Sequence, residues 1–114
     1  MNEDKRELPR RQSAFPITIL DGKQPRIRGT LSDATERGVG VRGIRARINE
    51  IRTFVIPAND FAEFAWVTFE ALCRWARKSA GGEYEAGFEI RGISQAHFHE
   101  FQYLIKAHTL PPNA

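Results

Sequence analysis

Two arginines stand four apart near the start of the chain, Arg6 and Arg10 in "RELPR", and Arg11 follows directly. A guanidinium presents a flat fork of donors that fits phosphate, and a face that stacks on bases. A second spaced set lies at Asp33, Thr35 and Gly38 in "DATERG", which brings a carboxylate, a hydroxyl and a glycine together. An aspartate at a strand end commonly closes an Asx turn with its own backbone. A glycine five residues on commonly supplies a positive φ or a tight approach. The chemical alternative is that Asp33 accepts from the paired N–H donors of a guanine edge. Thr35 would then add a hydroxyl, Gly38 would admit a ligand close to the backbone, and the arginines would hold phosphates. Spacing alone leaves both readings open.

Other chemistry is thin. Cys73 has no nearby histidine and falls on an alternating strand, so it reads as a core thiol. A single cysteine excludes an internal disulfide and fits a reducing cytoplasm. His97, His99 and His108 fall on or beside one helical stretch, and two of them two apart face different ways, which argues against a metal pair. No "GxSxG", "HExxH" or "GxxxxGK[ST]" occurs, and "GVGVRG" lacks dinucleotide-fingerprint spacing. The expectation is a binding protein, not an enzyme, with no cofactor and no metal. At 114 residues the chain suits one domain. Of its seventeen basic residues thirteen are arginine, with a net charge of +3. That bias fits an anionic partner, though a GC-rich genome enriches arginine too. No secretory leader and no membrane-length apolar run are visible, so a cytoplasmic protein without membrane insertion is expected.

The elements that would position these residues are mostly strands. Residues 1–12 read as a flexible basic arm. Phe15, Ile17 and Ile19 then alternate with Pro16, Thr18 and Leu20, and "DGK" turns at Asp21–Gly22. Ile27, Gly29 and Leu31 give a second strand, and Val39 and Val41 a third. Ile44, Ala46 and Ile48 continue that strand or begin another, and Arg52 to Ile56 form one more before Pro57. Residues 59–82 are ambiguous: their composition favours helix, while Val67, Phe69, Ala71, Cys73 and Trp75 alternate as a strand would. Ser94 caps a final helix with Phe98, Phe101, Leu104 and Ile105 on one face, and His97, Glu100 and Lys106 toward water. Residues 13–108 form the domain, and 109–114 a tail.

"RxxxR" followed by "DxTxxG", once each and in this order, resembles the motif pair of PilZ domains. "RELPRRQSAFPITIL", "GTLSDATERGVGV" and "VTFEALCRWARKSAGGEYEAGFEIRGIS" are similar to that family's linker and first strand, its binding turn, and its closing hairpin. The resemblance covers about residues 5–107 and is weakest over 43–64. It implies a six- to seven-stranded antiparallel β-barrel, mainly β, with a C-terminal α-helix, and it makes residues 66–78 a strand. It also implies a receptor for cyclic di-GMP that acts on a partner protein in motility, biofilm or exopolysaccharide control, with Arg6, Arg10, Asp33, Thr35 and Gly38 as ligand contacts.

Threonine stands at position 35 where the family usually has serine, which adds a methyl beside the ligand. A basic residue at the position of Lys5 tends in that family toward a pair of ligand molecules. Arg11, Arg74 and Trp75 are further candidate contacts, although a tryptophan on this apolar face reads first as core. Two other functions compete. A small basic barrel binding single-stranded nucleic acid would need aromatics on an open strand face, and Phe15, Phe54 and Phe69 fall mostly on the apolar side. A PilZ-like adaptor that binds only protein would not need the two motifs.

Overall fold

The computed structural model describes residues 17–57 and 66–109, with side chains through Lys106. The strands among them are β1 (Thr18–Asp21), β2 (Arg28–Ala34), β3 (Gly38–Arg42), β4 (Ile51–Ile56), β5 (Val67–Lys78) and β6 (Tyr84–Gly92), followed by helix α1 (Gln95–Thr109). Neighbours pair antiparallel in the order β1-β2-β3-β6-β5-β4, and β4 pairs back onto β1, so the sheet closes into a six-stranded barrel. Closure removes the open edges that would otherwise invite aggregation.

Alternation fills the interior. Ile19, Leu31, Val41, Phe54, Val67, Phe69, Cys73 and Phe88 all point inward and are buried. Phe54 sits at the centre, its ring edge-on to Phe88 at 4.8 Å and tilted against Phe69 at 5.8 Å. The ambiguous stretch is therefore strand. β5 pairs with β4 on one side and β6 on the other, and this two-sided packing overrides a weak local preference for helix.

Helix α1 covers one end of the barrel. The Ser94 hydroxyl accepts from His97 N–H at 3.1 Å, and the Ser94 carbonyl accepts from Phe98 N–H at 2.8 Å, as a helix cap should. Phe101, Tyr103 and Leu104 are buried, and the Phe101 ring lies 5.8 Å from Phe69. His97 does not face water as its helical position suggested. It is half-buried, with Nδ1 3.3 Å from both the amide and the carbonyl of Thr68 and its ring 4.6 Å from that of Trp66.

The opposite end is closed by residues 43–50, which form no strand. Gly43, at φ 93°, ends β3. Ile44 then drops into the core and Ala46 packs against it, so the alternation persists without a ladder. A turn at Ile48–Asn49, with Asn49 at φ 75°, swings Ile48 out into solvent. Asn49 N–H donates to the Cys73 carbonyl at 2.8 Å, and Cys73 N–H to the Glu50 carbonyl at 2.9 Å, which ties the segment to β5. Arg52 reinforces it by reaching Asp21 at 3.1 Å, the Arg45 carbonyl at 3.2 Å and the Glu50 carboxylate.

Replacing Phe54 with alanine opens a cavity where the rings meet, and should cost about 3–5 kcal/mol in urea unfolding. Burial, with the Glu50 carboxylate adding to it, pushes the Cys73 thiol above its ordinary value. A thiol reagent near pH 8 should therefore modify Cys73 no faster than the chain unfolds, and denaturant should release one full equivalent.

Candidate functional site

A strict period of two would point Asp33 into the barrel. Leu31 is buried, Ser32 faces out, and the next residue would return inward. The ladder slips here: Leu31 pairs with Val41, but Asp33 pairs with Gly40, so two residues of β2 are spent against one of β3. This β-bulge keeps Asp33 outside and turns Ala34 in. The same device recurs on β5. Cys73 pairs with Phe88 and Trp75 with Gly87, so Arg74 is the extra residue and Trp75 faces out. The reading of Trp75 as core is thus corrected: the indole is 43% exposed.

The two slips meet on one face. Asp33 pairs with Gly40, Gly40 with Gly87, and Gly87 with Trp75, so a single row crosses β2, β3, β6 and β5. With strands about 4.8 Å apart, its ends lie about 14 Å apart along the wall. The two central glycines make the floor. A Cβ on Gly40 would come within 2.7 Å of Asp33 Oδ1, and a Cβ on Gly87 within 2.1 Å of Trp75 Nε1. The carboxylate thus leans over one glycine and the indole lies over the other. The groove between them is about 490 Å³, and Thr35, Arg37 and Arg74 also line it. That size suits a nucleotide-scale ligand.

Each candidate residue has its own local logic. Among the described residues, no donor pairs with the Asp33 carboxylate, so the Asx-turn reading does not hold there. Asp21 makes such a turn instead, accepting from Lys23 N–H at 2.8 Å and Gln24 N–H at 2.9 Å. Thr35 organises the β2–β3 turn: its Oγ1 accepts from the amides of Arg37 at 3.2 Å and Gly38 at 3.3 Å. What Thr35 can still offer a ligand is its hydroxyl hydrogen. Gly38 answers to a close approach, since a Cβ there would stand 2.3 Å from the Phe88 carbonyl oxygen. Arg74 is tethered across the strands to Glu89 at 3.4 Å, and Arg91 reaches the same Glu89 oxygen at 3.6 Å. The Arg77 guanidinium sits 5.2 Å from the centre of the Trp75 ring while bonding Glu85 at 2.8 Å.

Lys5, Arg6, Arg10 and Arg11 lie outside the described residues, but the point at which their segment joins the barrel does not. The Ile17 carbonyl accepts from Leu31 N–H at 2.8 Å, so the chain enters beside the strand that carries Asp33, two residues before it. Arg10 stands seven positions before Ile17, an extended reach of about 24 Å. The groove is within that span. Sequence reasoning missed Arg37, Gly40, Gly87 and Glu89. A glycine inside an otherwise alternating strand was the available signal, because it marks a place where another group comes close. Phe54 and Phe69 are buried, which withdraws two of the three strand aromatics that a nucleic-acid face would need; Phe15 lies outside the described residues.

No family model matches the chain, and no curated protein matches it. Among solved structures it is similar to the inhibitor of motility MotI/DgrA of Bacillus subtilis, with a TM-score of 0.62 and 16% sequence identity. The match covers 91% of this chain and 51% of that one, so the chain spans about half the length of that protein. At this identity the likeness is one of fold, and it supports the PilZ-like barrel that the paired motifs imply.

Proposed function

We infer that the chain is a cyclic di-GMP receptor that passes the signal to a partner protein and carries out no catalysis. The observation that carries this reading is the Asp33 carboxylate, held outside the barrel by a bulge. No donor pairs with it among the described residues, and it faces Trp75 across a glycine floor. A carboxylate accepts the paired N–H donors of a guanine edge and rejects adenine, which presents the wrong pattern there. The indole supplies a platform for a base, and Arg74 and Arg37 supply cations at the groove margin for phosphate. Arg6 and Arg10 complete the site by bringing guanidinium forks from the entering chain onto the dianionic ring. Lys5 and Arg11 flank them and add positive charge. Ligand arrival would dock that segment against the barrel, and the altered surface is the output. The fold neighbour is named as an inhibitor of motility, which makes motility the first output to test, ahead of biofilm or exopolysaccharide control.

A charge-assisted hydrogen bond contributes about 1.5–3 kcal/mol. Calorimetry with cyclic di-GMP should therefore show Asp33→Ala, Arg6→Ala and Arg10→Ala each weakening binding by roughly tenfold or more. Cyclic di-AMP and GTP should bind far less well. Unchanged affinity in all three variants, in chains that remain folded, removes the site.

The role of Trp75 has a separate test. Stacking of a base on an aromatic side chain is worth about 1–3 kcal/mol. Trp75→Ala should lower cyclic di-GMP affinity by roughly fivefold or more, while Trp75→Phe should recover most of it. Indole fluorescence should change on titration of the unaltered chain.

A further inference from the structure

The end of the barrel closed by residues 43–50 has a different character from the groove. Ile48 and Ile51 are 58% and 64% exposed there, the most open of the large apolar side chains among the described residues. Their exposure is built in by the backbone. Asn49 holds a left-handed turn, Glu50 N–H donates to the Arg47 carbonyl at 3.1 Å, and the Glu50 carboxylate accepts from Arg47 N–H at 3.2 Å. A surface held in one conformation loses little entropy when it is covered.

The surrounding charge is mostly of one sign. Lys23, Arg45, Arg47 and Lys78 form no ion pair among the described residues, whereas Arg52 occupies both Asp21 and Glu50. Arg45 and Lys78 lie over the Tyr84 ring at 5.9 and 5.3 Å. Glu83 in the β5–β6 turn forms no ion pair among the described residues either, but the four cations outnumber it. The uncommitted charge at this end is therefore net positive, and such a field attracts an acidic surface.

We propose that this end of the barrel, centred on Ile48 and Ile51 and rimmed by Lys23, Arg45, Arg47 and Lys78, docks an acidic, aliphatic-bearing surface of a partner protein. An apolar centre inside a charged rim is the usual anatomy of a protein interface. Nucleic acid fits less well. Branched aliphatics give no stacking, and the nearby aromatic, Tyr84, already has cations over its ring. Asp33 and Thr35, at the β2–β3 turn, lie at the other end of β3 from this surface, which comes nearest the groove at Lys78, three residues beyond Trp75 on β5. The inference rests on the partner half of the function proposed above and is independent of the ligand half.

The test uses the full chain without ligand and four labelled probes read by anisotropy or co-sedimentation. The probes are a peptide of mixed glutamate and leucine, polyglutamate of equal length, oligothymidylate, and phosphatidylserine vesicles. The mixed peptide should bind best. The double change Ile48→Ser with Ile51→Ser, and separately Arg47→Glu, should each weaken it by roughly tenfold. The same variants should keep their circular dichroism and their affinity for cyclic di-GMP, so failure here is distinct from failure of the ligand site. Equal binding of polyglutamate, tighter binding of oligothymidylate or vesicles, or isoleucine variants that bind as the unaltered chain would each overturn the proposal.

Discussion

A closed β-ladder gives every residue one of two faces, and in a barrel this small the inner face is already full. Side chains alternate with a period of two, and the register is pinned because a slip of one residue would carry a whole apolar set into water. A polar group that falls on the inward phase can then reach the surface only if the ladder itself gives way. It does so at Ser32–Asp33 on β2 and at Arg74–Trp75 on β5. Each slip leaves an extra residue without a partner and disrupts hydrogen bonding locally. The large aromatic contacts of Phe54 offset that cost. The candidate site is therefore made by defects in the ladder, placed where the rest of the barrel can tolerate them.

Filling the interior also decides where chemistry can happen. Phe54, Phe69 and Phe101 run in contact from the barrel centre into helix α1, and Ile44 stops the other end. The candidate groove lies on the outer wall, where strands ordinarily present a row of side chains too crowded for a flat ligand. Gly40 and Gly87 lie side by side in that wall and clear a trough between the carboxylate and the indole. Strand glycines weaken a sheet, and here the position of both is explained by the side chain that lies over each.

Charge is distributed with the same economy. Arg52 satisfies Asp21, Glu50 and the Arg45 carbonyl at once, and so ties β1, β4 and the closing segment together. A partly buried ion pair of this kind contributes more to holding one geometry than to net stability. With Asp21 and Glu50 engaged by Arg52, the neighbouring Lys23, Arg45, Arg47 and Lys78 form no ion pair among the described residues and face solvent. At the groove, Glu89 holds Arg74 and Arg91, which fixes the margin while leaving Asp33 open.

Much of the barrel was legible in the sequence because alternation and turn chemistry are local. The strands around Ile19, Leu31, Val41 and Phe54, the Ser94 cap and the buried Cys73 follow from spacing alone. The strand at residues 67–78 needed the family resemblance, since its composition favours helix and only pairing on both sides decides otherwise. Residues 44–47 kept their alternation but not their pairing, because Gly43 turns the chain away from β6 and Asn49 turns it onto β5, leaving Ile48 in solvent. The motif spacing named Asp33, Thr35 and Gly38, yet the outward aim of Asp33 and Trp75 was invisible. A bulge is a disagreement between two strands, and no single stretch of sequence records where its partner slips.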